Sequence, residues 1–119
     1  MKKFCVSLTW AKNDSDKATV AFVVANAAVA SEQETVVFLS IEAVRLCQLG
    51  YADDIHEENF APLRELMANF VKAGGKIWVC SPCFKKRNLD DKKLVPGASI
   101  VGGASLVEFL STGSPCVSY

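Results

Sequence analysis

Short runs of apolar residues, most of them β-branched or aromatic, recur along the chain and indicate β-strands. Residues 36–39 are continuously apolar, which is typical of a strand that is covered on both faces, as in a parallel sheet. Turn-forming and charged residues separate these runs from one another. The pattern predicts strands over residues 4–9, 34–39, 76–80, 98–101 and 116–119.

The clearest helix follows the acidic stretch at 53–58. We expect Asn59 to cap this helix and Pro62 to lie in its first turn. Gly74 and Gly75 end it. The apolar stripe at helical spacing consists of Phe60, Leu63, Met67 and Phe70.

Four further segments are predicted to be helical. Polar residues at 12–16 supply caps for the first of them, and Ser40 is expected to cap the second, which Gly50 closes. The segments are 16–30, 41–49, 81–87 and 104–110.

Strands that alternate with helices predict an α/β fold with a parallel sheet, right-handed crossovers and helices on both faces. Ligands and reactive groups of such folds gather at the carboxyl ends of the strands. The loops after Thr9, Leu39 and Cys80 are therefore expected at one edge of the sheet.

The helix predicted over 16–30 is apolar on nearly all sides. Such a helix must be covered on more than one face, by the sheet together with a neighbouring helix or by another subunit. We expect a subunit contact to contribute to this cover.

Composition narrows the possible partners. A chain of 119 residues fits one domain. The 13 basic and 13 acidic residues balance, so no net field attracts nucleic acid or an anionic membrane surface. The most apolar run, 18–30, is shorter than the roughly 20 residues that span a bilayer, so no membrane partner is expected.

The five cysteines leave one thiol unpaired in any full disulfide scheme, and four of them sit in apolar surroundings. A reducing cytosol is the simpler location for such a chain. The first residues carry two lysines and a short apolar stretch with no obvious cleavage site, so they are not interpreted as a secretion signal.

Cys80 and Cys83 form a C-x-x-C pair at the predicted exit of a strand and entry of a helix. First-turn N–H groups and the helix dipole favour an anion there, which predicts a lowered pKa for the Cys80 thiol. Lys85, Lys86 and Arg87 add positive charge nearby. A second thiol at this spacing can close a reversible disulfide or resolve a persulfide or sulfenic acid. The pair therefore predicts thiol chemistry, although a lone C-x-x-C also arises by chance or as half a zinc site.

The other candidate ligands give a weaker signal. A zinc site needs two more ligands, and Cys116 and His56 stand at no usual spacing, so no metal is predicted. His56 lies in an acidic loop and is expected on the surface. Core packing is the expected role of Cys5, Cys47 and Cys116. The proposed thiol chemistry requires no cofactor.

The order of these features resembles the DsrE/DsrF-like sulfur-relay family, often labelled predicted peroxiredoxin. The resemblance implies one domain over residues 1–119 with a three-layer α/β/α fold, a mainly parallel five-stranded sheet and assembly into trimers or hexamers. The matching stretches span nearly the whole chain and comprise the strand that ends at Thr9-Trp10, residues 36–44, 50–55, 75–83 and 100–104.

In sulfur-oxidising and tRNA-thiolating members of that family, a cysteine at the end of the third strand carries sulfane sulfur as a persulfide. Cys80 occupies that position here. The resemblance implies that Cys80 takes sulfur from a donor protein or small thiol and passes it to an acceptor thiol, and that Cys83 releases or shields the sulfur. The residues expected to contact substrate or partner are Trp10, Lys12, Lys85, Lys86 and Arg87.

Two alternatives stay open. Residues 78–85 also resemble a thioredoxin active site, which has Trp before the cysteine pair, Pro within it and Lys after it. Thiol–disulfide exchange by Cys80 and Cys83 is therefore possible, although few residues follow the motif for the rest of a thioredoxin fold. The other alternative is a non-catalytic oligomeric protein that binds a small ligand at a subunit junction near Cys80.

Overall fold

The predicted strands are present in the computed structural model of the chain, which describes residues 2–119. They are β1 (Lys3–Leu8), β2 (Glu34–Leu39), β3 (Lys76–Cys80), β4 (Ala98–Val101) and β5 (Cys116–Ser118). They form one sheet in the order β4-β3-β2-β1-β5, and every pairing is parallel. The predicted parallel sheet is confirmed, and the carboxyl ends of its strands meet at one edge.

Helical segments connect the strands throughout this span. The polar loop before the first α-helix caps it as predicted, because the Asp14 side chain accepts a hydrogen bond from the Lys17 backbone N–H at 3.1 Å. The α-helices are α1 (Ser15–Ala30), α2 (Leu63–Lys72), α3 (Ser81–Lys86) and α4 (Gly103–Ser111), and the 3₁₀ segments are Lys12–Asp14, Ile41–Cys47 and Tyr51–Asp54.

The sheet is covered on both faces. Helices α1 and α2 pack on one face, where the rings of Phe22 and Phe70 meet edge to face with centroids 5.9 Å apart. Helix α4 packs on the other face, where the Phe109 ring meets the Trp78 ring of β3 at 5.6 Å. Such aromatic contacts stabilise a core beyond the area that they bury. The expected three-layer α/β/α fold is confirmed.

Helix α1 is covered by β1, β2 and α2 within the chain. Its Asn26 side chain joins it to α2, since Nδ2 donates to the carbonyl oxygen of Leu66 at 2.9 Å. Val20 and Val23 of α1 stay half-buried, and the subunit contact expected for this helix stays a prediction. Within residues 2–119, none of the helices combines the length and the apolar character that a membrane crossing demands.

Two capping predictions are wrong. The Ser40 side chain makes no capping hydrogen bond to the segment that follows it. Helix α2 begins at Leu63, and Pro62 rather than Asn59 is its N-cap. Pro62 has an extended ψ of 141°, which keeps the preceding residues out of the helix, and Asn59 instead forms a turn with a φ of 70°.

The helix predicted over 41–49 is a 3₁₀ segment that ends at Cys47. The chain beyond it pairs with a distant strand-like segment. The Val95 N–H donates to the Cys47 carbonyl at 2.8 Å, and the Leu49 N–H donates to the Lys93 carbonyl at 2.9 Å. These backbone groups are therefore unavailable for the hydrogen bonds of a longer helix.

Two of the three cysteines expected in the core are buried. Cys5 and Cys47 are fully buried, and burial raises the pKa of their thiols to about 12 and about 11 respectively. The prediction for Cys116 is wrong, because this residue is exposed. It lies on β5, an edge strand that pairs with β1 alone.

We expect alkaline pH to destabilise the fold through Cys47. Burial raises the pKa of this thiol to about 11, whereas an unfolded chain releases the proton near about pH 8.5. The unfolded state therefore deprotonates first, and the contribution to stability is lost as pH rises between these values. Denaturant titrations measure the free energy of unfolding at each pH. Between about pH 7 and pH 10.5 this free energy should fall by about 2 kcal/mol more in the wild type than in Cys47→Ala.

Val44→Ala is the matched control for this experiment. It removes a buried side chain from the same 3₁₀ segment but no titrating group. Its free energy of unfolding should therefore change with pH by the same amount as that of the wild type. Equal pH dependence of the wild type and Cys47→Ala would contradict the prediction.

Candidate functional site

Cys80 is the last residue of β3 and the N-cap of α3, so it lies at a strand-to-helix junction as predicted. Its backbone is still extended, with φ −63° and ψ 115°, and the helix starts at the next residue. Pro82 lies in the first turn, where its missing N–H leaves no hydrogen bond unmade. The side chain of Cys80 is half-buried, so solvent reaches part of the residue.

Cys83 lies one turn further along α3 and is also half-buried. Its thiol and its backbone N–H both lie close enough to the Cys80 sulfur to influence the pKa of that thiol. Both cysteines carry free thiols. Two neighbouring free thiols can close a disulfide, and one can take up an atom that the other carries.

The prediction of a lowered pKa for Cys80 is wrong, because the pKa of this thiol is raised above its ordinary value. Burial of the sulfur is the main cause, and the Cys83 side chain adds to it through a hydrogen bond and through the negative charge of its ionised form. The Cys83 backbone N–H and the positive charge of Arg87 lower the pKa but do not outweigh burial. The amide and the charges follow from the order of residues, whereas burial of the sulfur follows only from the packed structure.

Arg87 is the predicted cation that the structure brings to the cysteine pair. Its Nη1 donates to the Cys83 carbonyl at 3.3 Å, and its Nε donates to Glu42 Oε2 at 2.7 Å. Only 12% of the Arg87 side chain is exposed. Glu42 also accepts from Arg45 Nε at 2.9 Å, and the two arginines, Arg87 first, lower the pKa of its carboxyl. The carboxylate therefore holds the Arg87 guanidinium in place beside α3.

Lys85 and Lys86 lie on the same helix but are exposed. The cationic run predicted from the sequence is thus divided into one largely buried arginine beside the thiols and two surface lysines. A surface lysine is free to meet an acidic partner, whereas the guanidinium of Arg87 is engaged within the protein.

Trp10 and Lys12 follow β1 at the same edge, two strands from β3, which places them about 10 Å from the thiol pair along the sheet. Lys12 Nζ lies 3.1 Å from Asp54 Oδ1 and 4.5 Å from the centre of the Tyr51 ring. The Trp10 ring lies 4.5 Å from Lys17 Nζ. Lys12 therefore already contacts the 3₁₀ segment Tyr51–Asp54, and Trp10 already contacts helix α1.

Ile41, two residues after the end of β2 at this edge, has an unusual conformation. Its φ is 56°, in the left-handed region that a β-branched residue rarely adopts, and its side chain is 51% exposed. It precedes Glu42, which holds Arg87. Backbone strain of this kind concentrates at functional sites, so it supports a functional role for this edge.

Sequence reasoning missed Glu42, Arg45 and Ile41. The spacing of Glu42 and Arg45 could have indicated a local ion pair. Nothing along the chain linked Glu42 to Arg87, because the two belong to segments after different strands.

Metal ligands are not grouped at this edge. Within the part of the chain that the structure describes, no three His, Cys, Asp or Glu side chains are arranged to hold a metal ion. His56 is exposed as predicted, and one of its ring nitrogens lies 2.8 Å from the Phe60 carbonyl oxygen.

Comparison with known sequences matches residues 2–118 to the model of the DsrE/DsrF-like family. Two uncharacterized proteins of Methanocaldococcus jannaschii are also similar. MJ0760 is 27% identical over 108 residues, which are 91% of this chain and 39% of that protein. MJ0989 is 31% identical over 55 residues, which are 46% of this chain and 48% of that protein. The matches thus span less than half the length of either relative.

Solved structures share the fold at low sequence identity. The ychN protein from E. coli superposes with a TM-score of 0.83 at 17% identity, over 100% of both chains. MTH1491 from Methanobacterium thermoautotrophicum, a protein of unknown function, gives 0.70 at 12% identity, again over 100% of both. BT1422 from Bacteroides thetaiotaomicron, a conserved protein of unknown function, gives 0.64 at 16%, covering 97% of this chain and 94% of the other.

Replacing Arg87 by Gln should raise the pKa of Cys80 further, because the positive charge that lowers it is removed. The measurement is the pH–rate profile of Cys80 alkylation by iodoacetamide, followed by peptide mass spectrometry. Its midpoint should move to higher pH, and the rate near neutral pH should fall about two- to fivefold.

Arg45→Gln is the matched control, since it removes the other guanidinium that binds Glu42 and leaves Arg87 beside Cys83. Its profile should stay close to that of the wild type. An unchanged midpoint in Arg87→Gln would contradict the assigned role of this charge.

Proposed function

The chain belongs to the DsrE/DsrF-like family, and from that premise we propose that it is a sulfur-relay protein that carries sulfane sulfur as a persulfide on Cys80. The observation that carries the proposal is the half-buried thiol at the end of β3, with the Cys83 N–H and the Arg87 guanidinium beside it. Family membership supports sulfur relay as the general class of function.

The proposed transfer has two steps that balance. The Cys80 thiolate attacks the outer sulfur of a donor persulfide, and the donor S–S bond breaks. The donor leaves as a thiolate, which takes up the proton that Cys80 released. An acceptor thiolate then attacks the outer sulfur on Cys80, which restores the Cys80 thiol. No net oxidation occurs, so the cycle requires no cofactor.

The raised pKa of Cys80 fits this cycle in one respect. Burial disfavours charge on the cysteine sulfur itself. In a persulfide the charge is on the outer sulfur, about 2.05 Å from the partly buried cysteine sulfur. The loaded form is therefore less affected by the burial than the free thiolate, while the Arg87 charge still attracts it.

Cys83 offers an exit for the sulfur. Its thiolate can attack the Cys80 sulfur of the persulfide, which forms a Cys80–Cys83 disulfide and releases hydrogen sulfide. An external thiol must then reduce the disulfide before another cycle. The position of Cys83 one helical turn from Cys80, near enough to influence its pKa, supports this route.

Donor and acceptor are proposed to be proteins or small thiols. The exposed Lys85 and Lys86 supply charge for docking an acidic partner protein, and Arg87 steadies the sulfur anion. Trp10 and Lys12, at the same edge, are proposed as a more distant part of the partner surface.

We also propose that the protein assembles into trimers or hexamers and works in the cytosol. The half-buried valines on the outer side of α1, Val20 and Val23, support a subunit contact. Free thiols at all five cysteines support a reducing compartment.

Thiol–disulfide exchange is a second candidate function, favoured by the position of the free Cys83 thiol one helical turn from Cys80. In that reaction the two thiols reduce a partner disulfide and become the Cys80–Cys83 disulfide. The reaction differs from sulfur relay in that Cys83 is indispensable.

Treatment of the reduced protein with a persulfide donor should add one sulfur atom to Cys80, measured by intact mass and peptide mass spectrometry. Cys80→Ser should lose this modification, because no other cysteine has the same junction geometry. Cys116→Ser is the control, since it removes an exposed thiol away from the junction and should leave the labelling of Cys80 unchanged. Equal sulfur uptake by the wild type and Cys80→Ser would refute the proposal.

Cys83→Ser separates the two candidate functions. Under sulfur relay it should keep persulfide formation on Cys80 and slow the release of hydrogen sulfide, because the internal disulfide cannot close. Under thiol–disulfide exchange the wild type should reduce insulin catalytically and Cys83→Ser should not. Insulin reduction without any persulfide on Cys80 would favour the exchange function.

A further inference from the structure

A cavity of about 330 Å³ lies beside β3 at the end opposite to Cys80. Its β3 wall is Ile77, three residues before Cys80, which corresponds to about 10 Å along the strand. The cavity is therefore separate from the thiol pair. Its volume is at the lower end of the range in which proteins bind small molecules, roughly 300–1,000 Å³.

One stripe of α2 forms the largest wall. Met67 and Val71 line the cavity with apolar side chains, and the exposed Ala68 lines it as well. Because Ala68 is small, it leaves space where a larger side chain would fill the cavity. Arg64 and Lys72 lie on the same stripe, at its two ends.

The wall opposite α2 is fixed by hydrogen bonds. Gln48 Nε2 donates to the Asp90 carbonyl at 3.0 Å, and Gln48 Oε1 accepts from the Asp90 N–H at 2.9 Å. Gly97, just after the wall residue Pro96, has a φ of 83°, and a Cβ there would lie 2.6 Å from the Val71 methyl carbons. The loop thus packs directly on α2. The cavity is formed before any ligand arrives, which lowers the entropic cost of binding.

Arg64 and Lys72, two of the residues that line the cavity, are exposed. Within residues 2–119, neither Arg64 nor Lys72 has a carboxylate oxygen within 4.0 Å. Asp53 also lines the cavity, so the three charged side chains leave a net positive charge there. Two cations without partners beside an apolar lining match a molecule with an anionic head and an apolar body.

We propose that this cavity binds a small amphiphilic carboxylate, whose apolar part lies against Met67, Val71 and Ile77 and whose carboxylate meets Arg64 and Lys72. The site is independent of Cys80 and of sulfur transfer. A second copy of the chain is the competing occupant, but an apolar surface of the same chain would leave both cations without a counter-charge.

Octanoate is a suitable probe, and octanamide is its uncharged analogue of the same shape. Isothermal titration calorimetry on the wild-type chain should show one octanoate site per chain, with octanamide about fivefold weaker. Ala68→Phe should weaken both ligands about tenfold or more, because the ring occupies the apolar space. Arg64→Gln combined with Lys72→Gln should weaken octanoate alone and so abolish the preference for the carboxylate.

Matched controls use exposed residues elsewhere. Ala104→Phe places the same ring on α4, and Lys2→Gln combined with Lys17→Gln removes two exposed charges that do not line the cavity. Both should bind octanoate as the wild type does, and so should Cys80→Ser. Circular dichroism checks that each variant is folded, and Ala68→Leu replaces Ala68→Phe if the latter unfolds.

Three results would overturn the proposal. They are absence of octanoate binding to the wild type, undiminished binding to folded Ala68→Phe or Ala68→Leu, and an equal affinity for octanoate and octanamide. Sedimentation showing that Ala68→Phe dissociates an oligomer, together with absent octanoate binding, would instead assign this face to a contact between copies of the chain.

Discussion

Parallel pairing of every strand forces each connection to return from one edge of the sheet to the other, because a tight hairpin joins only antiparallel strands. Helices make these crossovers, and the segments that follow β1, β2 and β3 therefore begin at the same edge. The ion pair between Glu42 and Arg87 joins two of these segments. The parallel direction of the strands thus brings together the segments that surround Cys80, and individual side chains such as Glu42 and Arg87 then form the contacts between them.

Opposing effects act on the pKa of the Cys80 thiol. Burial and the neighbouring thiol keep its proton on, whereas the Cys83 N–H and the Arg87 guanidinium favour the anion. A thiol balanced in this way is less reactive at rest than one at a fully solvated helix start. Under the proposed function, the charge of the loaded form is on the outer sulfur, which is less affected by this burial than the cysteine sulfur is.

Each end of β3 contributes to a different feature of the molecule. The carboxyl end carries Cys80, and the amino end contributes Ile77 to the cavity beside α2. Alternation along the strand buries Ile77 and Val79 on the α1 and α2 side and leaves Trp78 to α4. The strand that positions the thiol therefore also supplies the cavity wall, although the two sites need not act together.

The sequence by itself determined the strands, the helix order, the parallel sheet and the position of Cys80 at a strand-to-helix junction, because hydrophobic periodicity and turn residues are local signals. It did not determine the exposure of Cys116 or the sign of the Cys80 pKa shift. Nor did it reveal the partnership of Glu42 with Arg87. Those properties follow from burial and from contacts between residues far apart in the chain, which exist only after the sheet has formed and its layers have packed.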